Sequence, residues 1–220
     1  MSHNGSNQAN VTVLQASTPT SSDILRKLQW KQMRHDEIYH SDICLLRIQA
    51  RIAHHTLHLG KYSGKMVEAL IAKGGVDTEA LTRVVLDGII IAMSSANTLS
   101  IPLWKIDGAE EDLSGALGGR QIHGMVDTHI LGFTVLMGHM AKAVEALDHV
   151  EPLNSRLAYE VALKKIWLVL LKSWRILSSE KLEDALRKKM LVIEKRNPFY
   201  GRHPNYENDF KPTGHESGKI

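Results

Sequence analysis

The chain of 220 residues is 43% hydrophobic and 23% charged, enough apolar material for one large domain or two small fused units. A net charge of +3 and a pI near 8.9 are too mild for a general nucleic-acid binder. No apolar run reaches the roughly 18 residues of a membrane helix; the longest, Ile166–Leu171, is cut by Lys172. The single cysteine, Cys44, excludes an internal disulfide. Flanked by Ile43 and Leu45, it reads as a small buried hydrophobe in a reducing, cytoplasmic protein.

Met1 to Ser21 is rich in Ser, Thr, Asn and Gln, and it lacks the basic and apolar regions of a signal peptide. It is expected as a disordered leader. Ser21, Ser22 and Asp23 offer an N-cap ahead of Ile24, Leu25, Leu28 and Trp30. From Glu37 to Ala72 a long helix is predicted, with Ile38, Leu45, Ile48, Ile52, Leu59, Met66, Val67 and Leu70 on its apolar side. Gly74 and Gly75 end it. Thr78 and Glu79 open a helix carrying Leu81, Val85, Ile89 and Met93 to about Leu99, where Ile101-Pro102 stops it.

Residues 105–121, acidic around Glu110 to Asp112 and glycine-rich around Gly115, Gly118 and Gly119, read as a linker. Helix resumes near Ile122 and runs to Val150. A third apolar helix spans Ser155 to Leu177 with Leu163, Ile166, Leu170 and Trp174 on one side. Ser178 and Ser179 precede a last amphipathic helix to about Lys195. The remaining tail, 198–220, is expected to be extended. No strand alternation is found, so the fold class is all-α: a leader (1–21), two helical units (22–104 and 122–197) joined by the linker, and the tail, in one helical domain.

The two units look duplicated. Lys-Met-Val-Glu-Ala-Leu at 65–70 recurs as Lys-Ala-Val-Glu-Ala-Leu at 142–147. The same offset places Leu86 on Leu163, Ile89 on Ile166, Ile91 on Leu168 and Leu99 on Ile176. Two copies of a helical hairpin can bury their apolar faces against each other in a bundle.

The order of a long helix ending in Gly-Lys-Met-Val-Glu-Ala-Leu, a helix around Leu-Asp-Gly-Ile-Ile-Ile, then Ala-Asn-Thr-Leu-Ser-Ile-Pro-Leu (Ala96–Leu103) resembles the all-α nucleotide pyrophosphohydrolases of the MazG and dimeric dUTPase superfamily. The helix of Lys181 to Met190, followed by Lys195, Arg196, Asn197 and Pro198, resembles that family's closing helix. The resemblance implies a helical bundle that hydrolyses nucleoside triphosphates with Mg²⁺ held by carboxylates. This chain departs from the pattern at those acids. Lys61 and Tyr62 stand where the family has a Glu pair, Lys65 where the next Glu would be, and Val84 three before Asp87; only Glu68 and Asp87 match. In the second unit the same places hold Gly138, His139, Lys142 and Lys164, and only Glu145 remains.

Ammonium groups can hold a phosphate as point charges without supplying a metal-activated water. The expectation is therefore a non-catalytic nucleotide binder, without cofactor. Its candidate site comprises Lys61, Lys65, Lys142 and Lys164 with His58, Tyr62, Glu68, Asp87, His139 and Glu145. Lys195 and Arg196 from the basic tail region would add phosphate contacts, beside Phe199, Tyr200 and Tyr206. The ligand would be a phosphorylated nucleotide or a nucleotide-derived signal, cyclic or ADP-ribose-like, sequestered by a homo-oligomer away from membranes. Alternatives stay open: a divergent Mg²⁺-dependent pyrophosphohydrolase using Glu68, Asp87 and Glu145 with Asp36 or Asp42, a structural helical module, or lysines that lie on solvated helix faces. The histidines His35, His40, His54, His55 and His58, with Asp36 and Glu37, form a supply of metal-ligand types, but no zinc-protease motif is present.

Overall fold

The computed structural model describes residues 18–148 and 152–197. Among them the secondary structure is entirely helical. The leader up to residue 17 and the tail from residue 198 lie outside the described residues, as do the aromatic residues Phe199, Tyr200 and Tyr206.

Helix α1 (Ser21–Tyr39) is capped one residue earlier than expected, by Thr20. Its hydroxyl accepts from the Asp23 amide while the Asp23 carboxylate accepts from the Thr20 amide, a reciprocal capping box. Leu25 and Leu28 are buried, but Trp30 is exposed.

The expected single helix from Glu37 to Ala72 is instead broken. α1 ends at Tyr39, α2 is one turn (Ser41–Cys44), and α3 (Ile48–Leu70) starts after Arg47 turns extended at φ −59°, ψ 151°. Leu45 is 86% exposed at the bend, and Cys44 is half-buried rather than in the core. No glycine or proline marks this break; it folds α1 back over the bundle.

Gly74 and Gly75 both take positive φ and end α3 as expected. α4 (Thr78–Thr98) is capped by Asp77, and α7 (Ser155–Leu177) by Asn154. The two caps stand 77 positions apart, and each side chain accepts from the amide three residues on. A 3-10 turn (Leu103–Lys105) leads into the supposed linker, which carries helix α5 (Glu110–Gly118). Its acids sit in the first turn, where the helix dipole favours them, and Gly119 closes it at φ 68°. α6 (Val126–Glu145) therefore begins later than expected and also ends earlier. α8 (Leu182–Lys195) closes the described chain.

Helices α3, α4, α6 and α7 form a four-helix bundle in which α3 packs on α4 and α6, and α7 packs on the same two. Trp167, Trp174, Tyr159, Phe133, Leu59, Met66, Ile89 and Met93 fill its centre. Each such side chain contributes about 2 kcal/mol by leaving water. Gly88 lets α4 approach α7: a Cβ there would lie 3.1 Å from a Leu170 methyl. The short closing helices cross between hairpins, with α5 on α7 and α8 on α4, while α1 covers α4 and α5. No helix is long and apolar enough to cross a membrane.

Candidate functional site

The fold-back of α1 leaves a cavity of about 650 Å³ between α1, α2, α3, α4 and α8. Three helical stripes line it: Gln32, His35 and Asp36 from α1; Arg51, His54, His55, His58 and Tyr62 from α3; Asp87, Ile91, Ser94 and Thr98 from α4. These spacings of three and four keep each set on one face of its helix. His40 and Cys44 close one end from the bend, and Lys189, Ile193 and Arg196 border it from α8.

Asp36 is the anchor of the α1 wall. The Ser94 hydroxyl donates to one carboxylate oxygen at 2.6 Å and the Gln32 amide to the other at 2.9 Å. Burial alone would raise its carboxyl, but the contacts from His35, Ser94 and Gln32 outweigh burial and hold it below the usual carboxylate range. It is an ionised group inside the wall.

The α3 wall is a ladder of rings. His54 and His58 lie with centroids 4.5 Å apart, and Tyr62 follows at 6.2 Å from His58. Burial, the larger cause, lowers His55 to about 4; burial and then Lys61 lower His58 to about 4. Both are therefore neutral imidazoles near neutral pH. The Thr98 hydroxyl donates to the Ser94 carbonyl at 3.1 Å, so its oxygen is left to accept from His55 Nε2 at 3.3 Å. That assignment puts the His55 proton on Nε2 and leaves Nδ1 as a bare acceptor. Burial pushes the Tyr62 phenol up to about 12, with Asp87 adding to it.

Several buried polar atoms of the α1 and α3 walls lack protein partners. Among the described residues, seven buried side-chain nitrogen or oxygen atoms have no hydrogen-bond partner. Six of them belong to cavity residues: Gln32 Oε1, His35 Nδ1 and Nε2, Arg51 Nε, His55 Nδ1 and His58 Nδ1. An unsatisfied buried group costs about 1–3 kcal/mol, so such clustering in one place is a demand for a polar occupant.

The residues expected from the sequence divide. His58, Tyr62, Asp87 and Arg196 line the cavity. Asp87 forms a 2.7 Å ion pair with Lys189. Lys61, Lys65, Glu68, His139, Lys142, Glu145 and Lys195 are exposed and do not border it. Lys61 lies over the outer face of the Tyr62 ring, 4.7 Å from its centroid. Lys142 pairs with Glu145 at 3.1 Å, and Lys164 with Glu160 at 2.6 Å. The four lysines thus do not converge here. Helical phase explains it: Lys61 and Lys65 fall opposite the buried stripe of Leu59 and Met66. Sequence reasoning missed Arg51, Ser94 and Thr98. The i, i+3, i+4 and i+7 placement of Arg51, His54, His55 and His58 is the signal that could have found this face of α3.

Comparison with known proteins adds no relative: no family model, curated protein or solved structure matches the chain.

Proposed function

We propose that the protein binds a small phosphorylated organic molecule of the nucleotide class in the cavity between α1, α3, α4 and α8, and holds it without cleaving it. The observation that carries this is the gathering of six unpartnered buried polar atoms on the α1 and α3 walls of one cavity. A volume of about 650 Å³ lies in the range of small-molecule sites. Imidazole and phenol faces along α3 offer stacking surfaces for a base. Arg51 and Arg196 have no carboxylate partner among the described residues, so two guanidinium groups are available to phosphate oxygens.

The same layout favours binding over the Mg²⁺ chemistry of the superfamily that the sequence resembles. Asp87 is engaged by Lys189, while Glu68 and Glu145 sit on exposed helix faces outside the cavity. Asp36 and Asp87 share the cavity, but Ser94 and Gln32 already hold the first and Lys189 the second, and with Glu68 and Glu145 outside they make a poor clamp for a magnesium–triphosphate complex. Nucleotide recognition accordingly moves from the expected lysines to the histidine-lined wall.

The test is to incubate the full-length protein with a crude nucleotide extract, repurify it, denature it and identify the released molecules by mass spectrometry. A defined nucleotide should be recovered intact and should raise the melting temperature. Arg51→Glu and Arg196→Glu should abolish retention, whereas Lys65→Glu and Lys142→Glu should leave it unchanged. Failure to retain any molecule, or retention lost only with the outer lysines, contradicts the proposal.

A further inference from the structure

The geometry points to a binding site for a borderline transition-metal cation, of which Zn²⁺ is the type, formed by His35, Asp36 and His40. It does not depend on the ligand proposed above. One donor atom from each of the three lies within 4.8 Å of the others, and no other such group of three is found among the described residues. Ligands around a tetrahedral zinc at about 2.0–2.1 Å stand roughly 3.4 Å apart, so small side-chain rotations close the set.

His35 supplies the independent observation. It is 1% exposed, lines the cavity, and neither ring nitrogen has a hydrogen-bond partner. Its Nδ1 stands 3.8 Å from the Asp36 carboxylate, too far for a hydrogen bond but near enough for both to reach one ion. Ring contacts with Tyr39 and His40, at 5.0 and 5.7 Å between centroids, do not satisfy those nitrogens.

The second layer is also in place. Ser94 and Gln32 donate to Asp36 and fix its carboxylate, as outer partners of metal ligands do. The backbone break at His40 contributes directly. Its amide still bonds the Asp36 carbonyl at 2.9 Å, but φ of −134° takes the residue out of the helix and beside His35. Two imidazoles and one carboxylate suit Zn²⁺, Co²⁺ or Ni²⁺; they do not suit Mg²⁺ or Ca²⁺, which take oxygen ligands. With three protein ligands, a fourth position would face the cavity.

The full-length protein, stripped with chelator and dialysed, should be titrated with Co²⁺ and followed by visible ligand-field absorption. One equivalent should bind, Zn²⁺ should displace it, and Zn²⁺ should raise the melting temperature. His40→Ala, at a helix end, and Asp36→Asn should each weaken Co²⁺ binding roughly tenfold or more, with helix content checked by circular dichroism. His123→Ala, in the loop before α6, should change nothing. Absence of saturable Co²⁺ binding, or binding that survives in a folded Asp36→Asn/His40→Ala double variant, overturns the site and leaves His35 packed by its rings alone.

Discussion

Two closing helices meet the bundle through acid–base contacts at the same register position, and the contacts differ. On α5, Asp112 pairs with Arg175 of α7 at 2.6 Å, and both are nearly fully buried. Arg175 also has Glu111 at 3.7 Å and donates through Nε to the Arg120 carbonyl at 3.4 Å. Lys189 of α8 lies 77 positions after Asp112, with the charge reversed, and pairs with Asp87 of α4 in a partly exposed contact. The first corner is sealed and its charges are matched. The second stands beside the cavity, and there the unpartnered imidazole and guanidinium atoms collect. One hairpin's closure is spent on stability; the other leaves room for a ligand.

The comparison is most severely tested at Asp112. Asp112→Ala leaves buried Arg175 with only the exposed Glu111 at 3.7 Å as a carboxylate partner, and should cost about 3 kcal/mol in urea denaturation. Lys189→Ala removes a half-exposed pair and should cost less than about 1 kcal/mol. Equal losses would erase the distinction between the corners. Gly115→Ala comes next, since its Cβ would lie 2.4 Å from Arg175 Nε. Displacing a buried guanidinium should cost about 1–3 kcal/mol by thermal melting.

Acid sensitivity belongs to the cavity side. The His55 imidazole is lowered from 6.5 to about 4 in the folded protein, so the unfolded chain binds more protons between these values. Stability contributed by the neutral ring is complete above pH 6.5 and is lost as pH falls towards 4, by about 3 kcal/mol at most. His58 adds less, because its ring reaches solvent. His55→Leu should flatten the stability profile over that window; an unchanged slope would show that the ring is not held neutral.

Most of the fold was legible because helix signals are local. Stripes such as Leu163, Ile166, Leu170 and Trp174, and the stop at Gly74 and Gly75, act within a turn or two. Two misreadings share a cause. Glu110 to Asp112 with Gly119 read as linker composition, although acids at a start and glycine at a stop are also the punctuation of a short helix. The break at His40 has no glycine or proline to mark it in the sequence. The site was legible only in part. His58, Tyr62, Asp87 and Arg196, grouped from the sequence, do border one cavity, but which face of α3 looks into it depends on where α1 folds back, and that is not written in α3.

The most direct test follows the imidazoles themselves. With ¹⁵N-labelled histidine, nucleotide or ADP-ribose additions should move the ring signals of His54, His55 and His58 and leave those of His123 and His139 in place. Movement confined to His123 or His139, or no movement with any nucleotide that raises the melting temperature, would contradict the assignment of this cavity as the binding site.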